Sequence, residues 1–284
     1  MRPREYLDKA LDLLQQHSME SARADWPALR EQAHLATTGA TSPEDTYDAI
    51  RQVIAALGNP HTHLITSVRA RRPPAPTTPT GRMIGSVALL RLPATAAANR
   101  SNYVTAGLGI MRDLIARRPS GWVVDLRDNG GGDMYPMLTV VSPLLGEGRT
   151  GAFVEPDGSR TEWGIRRGHV YVGRRRTFAF RRVPRAVNRP VAVLVNGKTA
   201  SSGEAVLVSF LGAPNARSFG APTAGRATAN QSFPLPDGAR LAITSAHMAD
   251  RTGRTYGNTP IAPQTLVDGG DVLGAAIEWL DSRR

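Results

Sequence analysis

The stretch that most constrains the fold is an apolar run that ends abruptly in a turn of small residues. Apolar residues fill Val191–Val195, give way to small hydroxyl residues, and resume over Ala205–Leu211. This pattern predicts a buried strand, a sharp turn and a helix. It would place Ser201 and Ser202 at the helix N-terminus, where free N–H groups favour developing negative charge. Serine nucleophiles are often presented this way, but serine is also a common helix N-cap, and both interpretations stay open here.

A second predicted strand breaks in the same way, at three consecutive glycines. The predicted strand Gly121–Leu126, in which Asp125 is the one charged residue, is followed by Arg127-Asp-Asn and then by Gly130–Gly132, which open another helix. Glycines permit positive φ, and successive N–H groups can form an anion-binding nest or an oxyanion hole. No Lys-Ser/Thr pair follows the glycines, so a nucleotide-phosphate loop is disfavoured. A purely structural turn is the remaining alternative.

Composition limits the class of protein. The 284 residues are 41% apolar and 21% charged, which suits a globular chain of one large or two small domains. No apolar run is long enough to span a membrane. The absence of cysteine excludes disulfides, thiolate metal sites and a cysteine nucleophile. The first residues lead into a polar amphipathic helix and not a signal peptide, so a cytoplasmic location is expected unless a leader preceded them.

The chain is strongly basic, with a formal net charge of +11. Such a charge is compatible with nucleic-acid binding, but the sequence has no recognisable nucleic-acid module and little aromatic interleaving. No nucleic-acid partner is therefore expected. An acidic peptide substrate or a solvated basic face explains the charge better.

The sequence divides into three regions: a helical subdomain over 1–58, a histidine-bearing strand with a Pro-rich linker over 59–82, and an α/β core over 83–284. Alternation of strand and helix in the core predicts parallel pairing. Residues 146–185 look like an excursion of antiparallel strands. The predicted core elements are strand Val87–Leu92, helix Tyr103–Arg117 capped by Ser101-Asn102, strand Gly121–Leu126, helix Met134–Leu145, and parallel strands Val191–Val195, Arg217–Phe219 and Leu241–Ser245.

The two turns together resemble the tail-specific protease family of serine peptidases. That family includes the C-terminal processing peptidases and the branch of the tricorn core and the nisin resistance protein. The resemblance rests on Asp-Leu-Arg-x-Asn-x-Gly-Gly at Asp125–Gly132 and Thr-Ala-Ser-Ser-x-Glu at Thr199–Glu204. Further similar segments are Gly220–Gly225, Leu235–Gly238 and Thr259–Gln264, where Gln264 replaces the family's aspartate. The resemblance implies a crotonase-like core of stacked ββα units and an acyl-enzyme mechanism without a cofactor.

The family pattern also implies roles for the residues of both turns. Ser201, which follows Thr-Ala and lies three residues before Glu204, takes the position of the nucleophile. Ser202 and Gly132 would supply the oxyanion-hole N–H groups, with Gly131 close behind. Arg127 would hold the loop by ion pairing or hydrogen bonds.

The general base distinguishes the branches of the family. Processing peptidases with a Ser–Lys dyad place the lysine 25 residues after the serine, where this chain has Arg226. A guanidinium with a pKa above about 12 cannot accept a proton near neutrality. Lys198 precedes the turn and is expected to point elsewhere.

Histidine is the other base that can activate the serine. Leu57-Gly-Asn-Pro-His61-Thr-His63 resembles the element that carries the general base in the tricorn and nisin-resistance branch, and His61 matches the motif position. An imidazole, with an ordinary pKa of about 6.5, can take the serine proton near pH 7. His63, one strand period away, would share a face with His61 and is an alternative base. A half metal site made by the two histidines is a weaker alternative, because no third ligand has convincing spacing.

The sequence does not identify a third catalytic residue. Glu204 follows the nucleophile and could cap the helix, whereas Gln264 and Asn258 lie near the segment that closes the network in the tricorn branch. A bare Ser–His dyad fits equally well.

There is no room for a PDZ insert between His61 and Asp125. The expected partner is a peptide or protein substrate; a non-proteolytic ligand-binding homologue and a hydrolase or cyclase acting on another acyl bond are the rival functions.

Overall fold

The computed structural model describes residues 1–70, 75–177, 184–186 and 188–283. The chain forms two compact units that do not follow its linear order. Unit 1 comprises Met1–Pro74, Glu155–Ser159 and Thr228–Ala246, and unit 2 comprises Ala75–Val154, Arg160–Ala227 and His247–Arg284. No helix within the described ranges has the length and apolar content needed to cross a membrane.

The helices and strands of the described residues are numbered in chain order. The α-helices are α1 (Pro3–His17), α2 (Trp26–Ala36), α3 (Tyr47–Leu57), α4 (Ser67–Ala70), α5 (Arg100–Ala116), α6 (Met134–Leu145), α7 (Ser202–Phe210) and α8 (Val272–Asp281). The strands are β1 (His63–Ile65), β2 (Thr80–Ile84), β3 (Val87–Arg91), β4 (Gly121–Asp125), β5 (Gly148–Val154), β6 (Arg160–Arg166), β7 (His169–Val172), β8 (Arg175–Arg176), β9 (Val191–Val195), β10 (Ala216–Gly220), β11 (Thr228–Pro234), β12 (Arg240–Asp250), β13 (Thr255–Tyr256) and β14 (Thr265–Leu266).

Unit 1 has a helical core built by α1, α2 and α3. The predicted stripe on α1 is fully buried, and its members are Leu7, Ala10, Leu11 and Leu14. Burial of each leucine contributes roughly 1.5–3 kcal/mol to folding. Gly58 ends α3 with φ 74°, a left-handed conformation that costs glycine little. The prediction of a helical N-terminal region is thus confirmed.

Unit 1 also contains antiparallel strand pairs. Leu64 of β1 pairs with Leu241 in an antiparallel register, and β11 pairs with β12. The prediction that Leu241–Ser245 continues the parallel sheet is therefore wrong. A continuous apolar run reports that a strand is buried, but it carries no information about the direction of its neighbour.

Unit 2 is built on a largely parallel sheet with the order β14-β10-β9-β4-β3-β2. The central strands β4 and β9 are buried at every residue. They pair in parallel with Asp125 opposite Leu194. Because parallel strands end at the same edge of a sheet, the turns that follow β4 and β9 lie side by side.

The edge strand β2 corrects the predicted extent of the Pro-rich linker. Thr80–Ile84 pairs antiparallel with β3 at the margin of the sheet, so the linker ends before residue 80. An edge position leaves one row of backbone groups unpaired, which a Pro-rich approach tolerates. Linker residues 71–74 lie outside the described residues.

Two further predictions for unit 2 had different outcomes. The antiparallel excursion is confirmed by the hairpins β5–β6 and β6–β7, although its Thr177–Phe180 part lies almost entirely outside the described residues. The predicted cap Ser101-Asn102 is wrong, because α5 already begins at Arg100. A 3-10 turn over Ala97–Asn99 runs directly into that helix, so both polar residues lie inside its first turn.

Candidate active site

The two turns after β4 and β9 are held together through Asn129. Its backbone carbonyl accepts the Ala200 N–H at 2.9 Å, and its side-chain Nδ2 donates to the Leu92 carbonyl at 2.8 Å. Gly203 packs so closely that an added Cβ would lie 2.6 Å from the Asn129 carbonyl oxygen. The serine turn and the glycine turn therefore form one rigid structure within unit 2.

Ser201 occupies a strained backbone conformation immediately before α7. Its φ of 52° and ψ of −116° lie in a region that side-chain-bearing residues rarely adopt. Such strain persists only where the surrounding structure enforces it, and it is common at active sites. The residue is partly exposed at the end of a buried strand. This geometry presents the Ser201 hydroxyl at the edge of the sheet, as in a nucleophile elbow.

Ser202 is distinguished from Ser201 by its environment. Its hydroxyl donates to the Gly132 carbonyl at 2.8 Å, and the residue is only 7% exposed. The hydroxyl proton is thus used in a bond that joins the two turns. Of the two neighbouring serines, Ser201 has the side chain that a substrate can approach.

The glycines of the other turn have separate roles. Gly131 has φ 102°, and an added Cβ would lie 2.8 Å from the Ser201 Cβ. The Gly131 N–H already donates to Asn129 Oδ1 at 2.9 Å. That bond makes Gly131 a packing and turn residue and removes it from the predicted oxyanion donors.

Gly132 has an exposed backbone and φ 105°. An added Cβ would meet the Thr95 carbonyl oxygen at 2.1 Å, so only glycine fits. Within the described part of the chain, no acceptor receives the N–H of Gly132 or that of Ser202, the first residue of α7. These two donors are therefore available to a substrate oxyanion.

The Glu204 carboxylate holds the serine turn through four hydrogen bonds. One carboxylate oxygen accepts the N–H groups of Ser201 at 2.8 Å and Arg226 at 2.9 Å; the other accepts the Thr223 hydroxyl at 2.5 Å and the Gly225 N–H at 3.0 Å. The side chain is fully buried, and this desolvation raises its pKa against the opposing effect of the hydrogen bonds. Its carboxylate therefore holds the strained turn at Ser201.

Replacing Glu204 with glutamine is expected to destabilise the fold. A glutamine has one accepting oxygen, so an NH₂ group would face either Ser201 and Arg226 or the second pair of donors. Each N–H left without an acceptor costs about 1–3 kcal/mol, measurable by urea unfolding. Glu278→Gln on the exposed surface of α8 is the matched control and should change stability by less than about 0.5 kcal/mol. Equal losses in both variants would contradict this role.

His61 lies in unit 1, in the turn before β1. It is 7% exposed, its N–H donates to Asn59 Oδ1 at 3.0 Å, and its carbonyl accepts from Asn230 Nδ2 at 2.8 Å. The ring Nδ1 lies 2.6 Å from Thr228 Oγ1. When Nδ1 carries the proton and donates to this hydroxyl, Nε2 has the lone pair that a general base needs.

Thr228 is a partner of His61 that the sequence did not indicate. It is almost completely buried and orients the His61 ring across a gap of 167 residues. A threonine at the start of a strand is a common structural residue, so the local sequence carries no signal of this contact.

His61 and His63 do not share a face, which corrects the sequence prediction. A turn whose Thr62 N–H donates to the Asn59 carbonyl at 3.3 Å interrupts the extended segment, and β1 starts only at His63. His61 is consequently buried, whereas His63 is exposed with its Nδ1 2.9 Å from the His61 carbonyl.

The basic residues of the two turns pair with acids. Arg127 donates to both carboxylate oxygens of Asp125 at 2.9 and 2.8 Å, which fixes the start of the glycine turn. The side chain of Lys198 is exposed and its Nζ lies 3.8 Å from Asp128 Oδ1. In these contacts Arg127 and Lys198 face carboxylates and not the Ser201 hydroxyl.

The closing segment of the family motif has a structural role here. Gln264 exchanges two hydrogen bonds with Ser218 of β10, accepting from its N–H at 3.0 Å and donating to its hydroxyl at 2.9 Å. Asn258 is exposed. Gln264 thus joins the closing segment to β10 through one side-chain acceptor and one backbone donor.

Comparison with known proteins decides the family. Residues 86–267 match the model of Peptidase family S41. The chain belongs to peptidase family S41. It is accordingly a serine-type peptidase, a hydrolase of the family that the sequence motifs indicated.

Relatives of this S41 peptidase match along almost the whole chain. It is 28% identical over 290 residues to the nisin-resistance protein of Lactococcus lactis subsp. lactis, covering 99% of this chain and 88% of that protein. A lipoprotein from Streptococcus agalactiae has the same fold with a TM-score of 0.82 at 24% identity, over 100% of this chain and 98% of the other. The photosystem II D1 C-terminal processing protease superimposes with a TM-score of 0.66 at 16% identity, over 98% and 97% of the two chains.

Proposed function

We propose that this S41 peptidase hydrolyses peptide bonds through an acyl-enzyme, with Ser201 as nucleophile and His61 as general base. The observation that carries the proposal is the partly exposed Ser201 hydroxyl beside the unused N–H groups of Gly132 and Ser202. The contact of Thr228 with His61 Nδ1 supports the assignment of the base.

In the proposed reaction, Ser201 Oγ attacks the peptide carbonyl carbon while His61 takes the hydroxyl proton. The N–H groups of Gly132 and Ser202 bind the tetrahedral oxyanion. The C–N bond then breaks, and His61 returns the proton to the leaving amine. Water, deprotonated by His61, then attacks the ester carbonyl carbon. The bond from that carbon to Ser201 Oγ breaks, His61 returns the proton to Oγ, and the acid product leaves.

Thr228 takes the place that a carboxylate occupies in a three-residue serine protease site. A neutral hydroxyl can hold the ring and select its tautomer, but it stabilises an imidazolium less than a carboxylate does. We therefore describe the machinery as a Ser–His dyad with Thr228 as a positioning residue.

The proposed core of unit 2 is crotonase-like. Its order of β3, α5, β4 and α6, followed by β9, α7 and β10, supports stacked strand–helix units with the nucleophile at a helix N-terminus. We propose the helical region over 1–58, the histidine-bearing segment over 59–82 and the core over 83–284 as a functional division, which differs from the compact units because residues 155–159 and 228–246 belong to unit 1.

The proposed substrate is a peptide natural product or the C-terminal tail of a protein. Two matched proteins support this class through their names, a nisin-resistance protein and a C-terminal processing protease. Substrate selection would then depend on the residues around Ser201.

The test is labelling of the full chain with a fluorophosphonate, followed by digestion of a peptide library with mass-spectrometric detection. We expect a single labelled serine and a set of cleaved peptides that share a sequence preference. Absence of labelling and of cleavage would refute the proposed peptidase. Cleavage of acyl esters without any peptide cleavage would move the activity to a non-peptide acyl bond.

A further inference from the structure

Arg226 is fixed next to the nucleophile by a shared hydrogen-bond acceptor. Its N–H and that of Ser201 donate to the same oxygen of Glu204, at 2.9 and 2.8 Å. The two backbone nitrogens therefore lie within two hydrogen-bond lengths of each other. The backbone of Arg226 is consequently a close neighbour of the backbone of Ser201.

The backbone that carries Arg226 is held on both sides. Ala224 donates to the Thr199 carbonyl at 2.9 Å, and Ala227 donates to the Gly257 carbonyl at 3.0 Å. Gly225 has φ 73°, and an added Cβ would lie 2.7 Å from the Pro260 nitrogen. The position of the Arg226 Cα is thus set by packing and hydrogen bonds that do not involve its side chain.

The side chain of Arg226 is exposed and makes no ion pair or hydrogen bond within the described ranges. Arg127 in the neighbouring turn is, by contrast, paired with Asp125 in two places. Arg226 therefore has an exposed guanidinium that pairs with no acid of the described residues, and its backbone is held close to that of Ser201.

We propose that Arg226 binds a carboxylate of the substrate close to the scissile bond, an inference that rests on the peptidase function proposed above. A guanidinium cannot act as a base, but its planar donors bind a carboxylate through two parallel hydrogen bonds. A peptide offers a carboxylate either on an Asp or Glu side chain or at its C-terminus. The position that holds a catalytic lysine in the Ser–Lys branch becomes a specificity residue in this chain.

The experiment uses fluorescent ten-residue peptides made in matched pairs. One series exchanges Glu for Gln at each position in turn, and a second exchanges the C-terminal carboxylate for a carboxamide. Binding is measured by fluorescence polarisation to full-length Ser201→Ala, to Ser201→Ala/Arg226→Gln, and to Ser201→Ala/Arg82→Gln. Arg82 is an exposed arginine of the edge strand β2 and controls for the change in net charge.

We expect Ser201→Ala to bind the carboxylate form of one pair about tenfold more tightly, as one charge-assisted contact predicts. The Arg226→Gln double variant should bind both forms alike, whereas the Arg82→Gln double variant should keep the preference. The series that shows the preference identifies the carboxylate as a side chain or a C-terminus.

Equal binding of all pairs to Ser201→Ala, or a preference that survives Arg226→Gln, would overturn the role of Arg226. Because binding is measured without turnover, the two proposals can fail separately. A preference that depends on Arg226 in a chain that cleaves no peptide would sustain the carboxylate site and reject the peptidase.

Discussion

Ser201→Ala is expected to abolish fluorophosphonate labelling and to lower kcat by at least about a thousandfold. The substitution removes the oxygen proposed to attack the substrate and leaves the proposed oxyanion donors in place. Ser202→Ala should retain labelling, because the Ser202 hydroxyl donates to the Gly132 carbonyl and takes no part in the attack. Its cost should appear in stability, at about 1 kcal/mol for the lost hydrogen bond between the turns.

Labelling and denaturant unfolding are both measured on the same preparations of Ser201→Ala and Ser202→Ala. Ser201→Ala should unfold at a denaturant concentration close to that of the unmodified chain, because alanine adopts the same strained φ of 52° at similar cost. Labelling that survives Ser201→Ala would transfer the nucleophile to another serine. Loss of labelling in a stably folded Ser202→Ala would show that the second hydroxyl is needed for the chemistry.

His61→Ala is expected to lower kcat/KM by at least about a hundredfold, the usual contribution of a positioned general base. His63→Ala is the matched control, since His63 is exposed and its known contact is with the His61 carbonyl. We expect that variant to stay within about threefold of the unmodified chain. Steady-state kinetics on a peptide from the library measure both, and full activity of His61→Ala would reject the dyad.

A substitution of Thr228 tests the role of His61 independently. Thr228→Val keeps the shape of the side chain and removes the hydroxyl 2.6 Å from His61 Nδ1, so the ring loses its orienting partner. A positioning role predicts a fall in kcat of about tenfold with KM nearly unchanged, and recovery in Thr228→Ser. A rise in KM alone, or the same loss in Thr228→Ser, would show that Thr228 serves packing instead.

The two strand–turn–helix elements of unit 2 were predictable because their signals are local. A buried parallel strand appears as an unbroken apolar run, and the turn after it is visible in glycines or small hydroxyl residues. Strand β9 and helix α6 have the predicted bounds, Val191–Val195 and Met134–Leu145. The parallel pairing of β3 with β4 follows from the helix between them.

Predictions failed where the outcome depends on a distant partner or on one hydrogen bond. Strand β12 pairs antiparallel with β1, which lies far away in the sequence. The faces of His61 and His63 are set by a turn whose Asn59 also accepts the His61 N–H. The start of α5 is set by the 3-10 turn that precedes it. None of these features changes the local apolar pattern.

The sequence by itself determined that a strand ends at two serines, that another ends at three glycines, and that the lysine position of one family branch holds Arg226. Only the tertiary structure decided which of these residues use their hydroxyl or N–H groups in hydrogen bonds within the protein. The bond from Ser202 to Gly132 spans 70 residues and leaves Ser201 as the accessible hydroxyl. The bond from Gly131 to Asn129 uses the Gly131 N–H, whereas no acceptor within the described residues receives the Gly132 N–H. Such assignments depend on which donor meets which acceptor in space, and spacing along the chain does not encode this.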